Sequence, residues 1–223
     1  PFFLQFWKEL PPAGQITIHH RAWYFLRNEH AVGDPDEASE WYDVSFDEIN
    51  HFEKELVQGG CVLIKIFTHI SKKKQKENME KGQETMGSRW EKLTPGGIEG
   101  IDYNAYRDVY ETMLTATNTD LAPWHIVPME DKRTGTEAVF RVLITALEEA
   151  LKDRQRPVDP EKGPAKDLTI PDILSTYTPY QPMEQEEYGK KLKKYQRRLE
   201  ELQFELAKRK ISTIVAFEGQ DAG

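Results

Sequence analysis

The run Cys61-Val62-Leu63-Ile64-Lys65-Ile66-Phe67 constrains the fold more than any other segment. It is almost continuously apolar and has the length of a strand. A strand with one wet face would alternate, so this one is expected to be buried on both faces, as in a parallel sheet covered by helices. Its flanks agree. Ser45-Phe46-Asp47-Glu48 is a capping-box pattern opening a helix whose apolar positions Ile49, Phe52, Leu56 and Val57 recur at helical spacing. Gly59-Gly60 is placed to stop that helix. Ser71 can cap a following lysine-rich helix from Lys72 to about Glu84.

The remaining chain alternates in the same way. Gln15–His20 has period two after the turn Pro11-Pro12-Ala13-Gly14, and reads as a strand. Tyr106, Val109, Tyr110, Met113 and Leu114 form a helical stripe. Residues 123–128 read as a third short strand, and Thr136–Leu151 as an amphipathic helix. Residues 154–183 hold six of the 13 prolines and read as a linker or a strap over the domain surface. Tyr188, Leu192, Tyr195, Leu199, Leu202 and Leu206 then mark a helical seam that packs on a neighbour or pairs as a short coiled coil. A fourth strand, Ser212–Phe217, runs into Gly219 and Gly223. The pattern predicts an α/β fold with a parallel sheet.

Charge and cysteine narrow the function. The 223 residues carry 38 acids against 30 bases, a net charge of −8. Binding duplex DNA by charge neutralisation needs a basic footprint, so no nucleic-acid partner is expected. A polyanion could be met through a local patch, and Lys72, Lys73, Lys74 and Lys76 supply one; a solvated helix face explains the same run. The single cysteine, Cys61, excludes an internal disulfide and suits a reducing compartment. It reads as a core residue rather than a nucleophile. No apolar run approaches the roughly 18–20 residues needed to cross a bilayer, so neither a membrane span nor a signal peptide is expected in this stretch. His19 and His20 are adjacent on a strand, point to opposite faces, and cannot chelate one metal together.

A buried strand ending in glycines is how phosphate-binding loops begin, because glycine lets backbone N–H groups approach phosphate oxygens. Gly219-x-x-x-Gly223 fits that opening or an ordinary tight turn. Asp131-Lys132-Arg133 follows a strand end, where α/β proteins place ligand-binding residues.

These pieces occur in an order that resembles the polyphosphate kinase 2 family, in particular its tandem-domain polyphosphate:AMP phosphotransferases. The matching segments are Phe6–Gly14, Arg21-Ala22-Trp23-Tyr24, Phe52…Leu56…Gly60…Lys65, His69-Ile70-Ser71…Gln75 and Trp90-Glu91-Lys92-Leu93. The most specific is Met113-Leu114-x-x-Thr117…Ala122-Pro123-Trp124-x-x-Val127…Asp131-Lys132-Arg133. Phe217-Glu218-Gly219-Gln220-Asp221-Ala222 resembles the opening of the family's phosphate loop. The family sets that loop before its R-x-W-Y strand; here it lies about 200 residues after it.

The resemblance therefore implies a piece of a tandem protein. Residues 1–153 would be a first domain lacking its phosphate loop, 154–183 a linker, and 184–223 the connecting helix and first strand of a second copy. As the start of another copy, that strand is expected to lack the sheet it belongs to, and the seam its partner. The implied fold is a three-layer, P-loop-kinase-like α/β sheet with a helical lid. The implied chemistry moves a phosphoryl group between inorganic polyphosphate and a nucleotide, AMP to ADP, with Mg2+, in a cytoplasmic homo-oligomer. Asp221 would be the catalytic and metal-binding acid. Gly219, Gly223, Arg21, Lys65, Lys132 and Arg133 would meet phosphate or nucleotide, and Lys72, Lys73, Lys74 and Lys76 would steer polyphosphate. Against the family pattern, His20 replaces an acid, and Leu26, Asn78 and Thr136 stand where arginines are usual. That suggests a half kept for fold, inactive in isolation; another P-loop nucleotide kinase is the remaining alternative.

Overall fold

The computed structural model describes residues 2–32, 44–86, 103–153 and 173–219. A short helix α1 (Leu4–Lys8) precedes strand β1 (Ile16–His20) and helix α2 (Trp23–Val32). Helix α3 (Phe46–Gln58) leads to β2 (Val62–His69) and α4 (Lys72–Met86). Then follow α5 (Tyr103–Thr117), β3 (Trp124–Pro128) and α6 (Lys132–Asp153). A single turn at Ile173–Thr176, helix α7 (Gln185–Lys208) and β4 (Thr213–Gly219) complete the order.

The local signals act as chemistry predicts. Ser45 Oγ accepts from the Glu48 N–H (3.2 Å) while Glu48 Oε2 accepts from the Ser45 N–H (2.8 Å), which closes the capping box of α3. Those bonds, the backbone one first, hold the Glu48 carboxyl below its usual range. At the other end Gly60 takes φ +86°, and the Cys61 N–H returns to the Leu56 carbonyl at 3.0 Å. A residue with a Cβ would be strained there. Cys61 itself stands just before β2 and is half-buried. Helix α6 begins at Lys132, four residues before the apolar periodicity becomes visible at Thr136.

The four strands are all parallel, in the order β1-β4-β2-β3. Alternation along β2 divides the core. Leu63 and Phe67 face a cluster with Phe6, Trp23, Phe52, Tyr110 and Met113, from α1, α2, α3 and α5. Ile64 and Ile66 face Val127, Ala138, Leu147, Leu202 and Leu206, from β3, α6 and α7. Helices thus cover both faces, which is the three-layer α/β architecture expected.

The expectation for the last strand is corrected. Strand β4 is central, paired with β1 from Thr213 to Phe217 and with β2 from Thr213 to Gly219. Ile214 and Ala216 are completely buried. The seam of α7 also has its partner: Leu202 and Leu206 are buried against the α6 face, and Arg198 Nη2 meets Glu148 Oε1 at 2.6 Å. Apolar β4 cannot remain in water when a gap between two strands of matching register would bury both its faces. Residues 185–219 therefore belong to the same folded unit as β1–β3.

Candidate active site

A parallel sheet gathers its carboxyl ends on one side, and loops there are the usual place for ligands. Here that side brings together Arg21, Gly219, His69–Lys72 and Met129–Arg133, from segments far apart in sequence.

Between β1 and β4 the turn is held by Glu218. Its buried carboxylate accepts the Ala22 N–H at 2.7 Å, and the Arg21 N–H donates to the Phe217 carbonyl at 3.2 Å. Arg21 adopts φ +64°, and its guanidinium lies 4.4 Å from the Phe25 ring centroid, at the surface. The neighbouring contact is between β4 and β2. Thr68 Oγ1 donates to the Glu218 carbonyl at 3.1 Å, and a Cβ on Gly219 would collide with the Thr68 side chain and carbonyl. Glycine is required here by close approach of two strands.

On the other side, the Ser71 N–H donates to Glu130 Oε1, so the amino end of α4 is tied to the end of β3. Asp131 accepts from the Thr134 N–H (2.9 Å) and hydroxyl (2.8 Å), capping α6. Burial alone would raise the Asp131 carboxyl. The bonds from Thr134 and Met183 and the Arg133 charge outweigh it and hold the carboxyl below its usual range.

The sequence-predicted residues divide. Gly219 and Arg21 lie at adjacent strand ends. Lys132 is exposed and Arg133 half-buried at the amino end of α6. Lys72, Lys73 and Lys76 are exposed on α4, with Lys74 half-buried. Lys73 and Lys76 face Glu77 and Glu80 at 3.8 Å. Asp221 and Gly223 lie outside the described residues, as does Trp90–Leu93. Lys65 is corrected as an anion contact. It sits mid-strand, completely buried, and donates to Glu53 Oε2 (2.8 Å) and the Thr117 carbonyl (2.6 Å). A strand's side chain points into a layer rather than out of its end, so Lys65 reaches the helical core and not a phosphate.

His19 is buried and His20 exposed, as alternation requires. Among the described residues no three His, Cys, Asp or Glu side chains converge as a metal cage. Glu130 and Asp131 are engaged in capping. Reasoning from sequence missed Glu218, Thr68 and Glu130 as the groups that shape the site. Glu218 was within reach, since it stands inside the phosphate-loop pattern.

The whole first part of the chain, residues 1–155, matches the family model for polyphosphate kinase 2. The chain belongs to the polyphosphate kinase 2 family. It is 30% identical over 222 residues to a polyphosphate:AMP phosphotransferase of Pseudomonas aeruginosa, covering 98% of this chain and 44% of that protein. It is 29% identical over 155 residues to NDP-polyphosphate phosphotransferase 3 of Ruegeria pomeroyi, 69% of this chain and 50% of the relative. An AMP/ADP-polyphosphate phosphotransferase of Meiothermus ruber is 26% identical over 146 residues, 63% and 52% of the two chains. The chain thus spans about half the length of these relatives. No solved structure matches it significantly. No helix among the described residues is long and apolar enough to cross a membrane.

Proposed function

We propose that the protein to which this chain belongs transfers a phosphoryl group from inorganic polyphosphate to AMP, giving ADP and shortened polyphosphate. The observation that carries the reading is Gly219 at the end of the central strand, flanked by Arg21 and Thr68, in a chain of this family. Phosphoryl transfer asks little covalent work of a protein; it needs a backbone cradle and cations around the migrating group. Gly219 would open the cradle, with Arg21 at the end of the adjacent strand β1 and Lys132 and Arg133 past the end of β3, two strands away, as clamps. Gly223 would continue the loop and Asp221 would carry a magnesium ion. Mg2+ commonly takes one or two carboxylates and completes its shell with water and substrate phosphates, so a full protein cage is not needed. The ion would neutralise phosphate charge. The proposal includes a cytoplasmic homo-oligomer, α4 as a helical lid, and repeat boundaries at 1–153, 154–183 and 184–223. That division describes descent, since 185–219 fold with the rest.

The test is ADP formation from AMP, polyphosphate and Mg2+ by the intact protein. Absence of ADP would overturn the reading. Asp221→Asn should lower kcat by about 10²-fold or more, as loss of a charge-stabilising group does.

A second reading is favoured by His20, exposed where the family pattern has an acid, and by the burial of Lys65. On it, residues 1–223 are a bracing half, inactive alone. Turnover by the isolated chain within about tenfold of the intact protein would exclude it, because parts that act as a unit do not lose activity gently.

A further inference from the structure

Strand β2 outruns its neighbour at the amino end of the sheet. Its pairing with β3 begins at Lys65 opposite Trp124, so Val62, Leu63 and Ile64 extend past β3. The Val62 N–H donates to the Ser212 carbonyl at 2.8 Å, on the β4 side. By alternation along the strand, the Leu63 N–H and C=O turn the other way. Pro123 has no N–H to give there, and neither Leu63 group meets a backbone partner among the described residues. Helix α6 closes this notch into a groove of about 430 Å³. Val62, Ile64, Pro123, Val142 and Ala146 give it an apolar floor, and Arg141, Thr145 and Glu149 run along it on one face of α6. The groove lies at the opposite end of the sheet from the candidate active site.

We propose that this groove binds an ω-amino carboxylate, a small molecule with an ammonium at one end, a carboxylate at the other and methylenes between. Nothing in the site depends on phosphotransferase chemistry. Its two ends carry opposite charge. Arg141 and Glu149 are eight residues apart on one helix, about 12 Å along the axis. A chain of about five methylenes, with a hydrogen bond of about 2.8 Å at each end, covers that span. Glu149 and His125 form no hydrogen bond or ion pair with the described residues. Burial lowers the His125 pKa, and the Glu149 carboxylate only opposes the shift. The imidazole is therefore neutral at pH 7 and keeps one bare nitrogen as an acceptor. An ammonium has three donors, and Glu149, His125 and the open Leu63 carbonyl are acceptors for them. Arg141 has Glu137 Oε2 at 3.8 Å, beyond hydrogen-bond distance, and Glu137 Oε1 already takes the Tyr195 hydroxyl at 2.6 Å. Its guanidinium thus retains donors for a carboxylate. Methylenes suit the floor between the two ends. A diamine would set its second charge against Arg141, and a dicarboxylate against Glu149, so the opposed ends specify the class.

The experiment is amide chemical-shift titration of residues 1–223 with 6-aminohexanoate, hexylamine and hexanoate. 6-Aminohexanoate is expected to shift the Leu63 and Ala146 amides at roughly millimolar affinity or tighter. Each analogue with a single charge should bind at least about tenfold more weakly, the scale of one lost hydrogen bond to a charged group. Glu149→Gln should weaken 6-aminohexanoate by about tenfold and leave hexanoate unchanged. Arg141→Gln should weaken it equally and leave hexylamine unchanged. Both residues are exposed, so neither substitution disturbs the core, and thermal melting checks this. Three outcomes would overturn the proposal: no shift at Leu63 or Ala146, affinity for hexylamine or hexanoate within twofold of that for 6-aminohexanoate, or parent affinity in either variant.

Discussion

The Lys65 ammonium lies 2.8 Å from Glu53 Oε2, with the two side chains 0% and 2% exposed. The pair joins β2 to α3, and the Trp23 indole N–H completes it by donating to Glu53 Oε1 at 3.0 Å. The Trp124 ring centroid is 5.0 Å from the ammonium. Burial pushes Glu53 up and Lys65 down, and each partner's charge opposes the shift. A residue that resemblance would give to phosphate is here a rivet inside the helical core.

Breaking such a pair strands a buried charge. Glu53→Gln should lower unfolding stability by about 3–5 kcal/mol, read from urea midpoints. Replacing both partners, Lys65→Met with Glu53→Leu, should recover only part of that loss, because the buried Trp23 N–H and Thr117 carbonyl are left unpaired. A cost below about 1 kcal/mol for Glu53→Gln would mean that the ammonium finds water.

Gly219→Ala tests the close approach of β4 and β2. The added Cβ meets both the hydroxyl and the carbonyl of Thr68. Removing the hydroxyl with Thr68→Ala relieves half of this and leaves the backbone clash. In the intact protein Gly219→Ala is expected to reduce kcat/KM by at least about tenfold, through misplacement of the loop opening. Thr68→Ala should not rescue it; full rescue would show that the backbone has room.

Arg21→Gly separates stability from chemistry. At φ +64° a side chain is strained by about 1–2 kcal/mol, which glycine avoids while making the unfolded chain freer. The two effects oppose, so stability should stay within about 1 kcal/mol of the parent. On the proposed role of Arg21 as a phosphate clamp, activity of the intact protein should fall at least tenfold. Unchanged turnover would remove Arg21 from the site.

His19 gives a pH dependence with a definite sign. Burial lowers its pKa, and the Glu9 carboxylate 3.7 Å away only partly offsets this. The unfolded chain therefore takes up the proton first, near the ordinary value of about 6.5. Stability carried by neutral His19 is complete above that pH and declines as pH falls from about 7 toward 5. His19→Gln should flatten the stability profile over this window. An equally steep profile in the variant would assign the loss to other groups.

The sheet was legible because β2 is apolar on both faces and its neighbours carry explicit caps and stops. Strand β4 was equally visible as a strand, but its partner was not. Register between β4 and both β1 and β2 depends on contacts about 150 to 200 residues apart, which no local pattern encodes. Lys65 failed for a related reason. Its position in a motif says nothing of Glu53, twelve residues earlier and on another element. Leu174, buried with its N–H on Glu111 of α5, was hidden among prolines, where periodicity has no meaning.

The lysine block on α4 is the remaining charge feature to resolve. Lys73 and Lys76 are exposed and paired with Glu77 and Glu80 along the helix, an arrangement worth a few tenths of a kcal/mol that leaves much of the charge solvated. Lys72 instead lines a cavity at the carboxyl ends of β2 and β3. The four lysines therefore should not act equally. Reversing Lys73 and Lys76 to Glu in the intact protein should raise KM for polyphosphate at low ionic strength, and the effect should shrink as salt shortens the Debye length below about 10 Å. The check is KM for each substrate measured across ionic strength. A polyphosphate KM that ignores the Lys73 and Lys76 reversal at low salt would make those two a solvated helix face and nothing more.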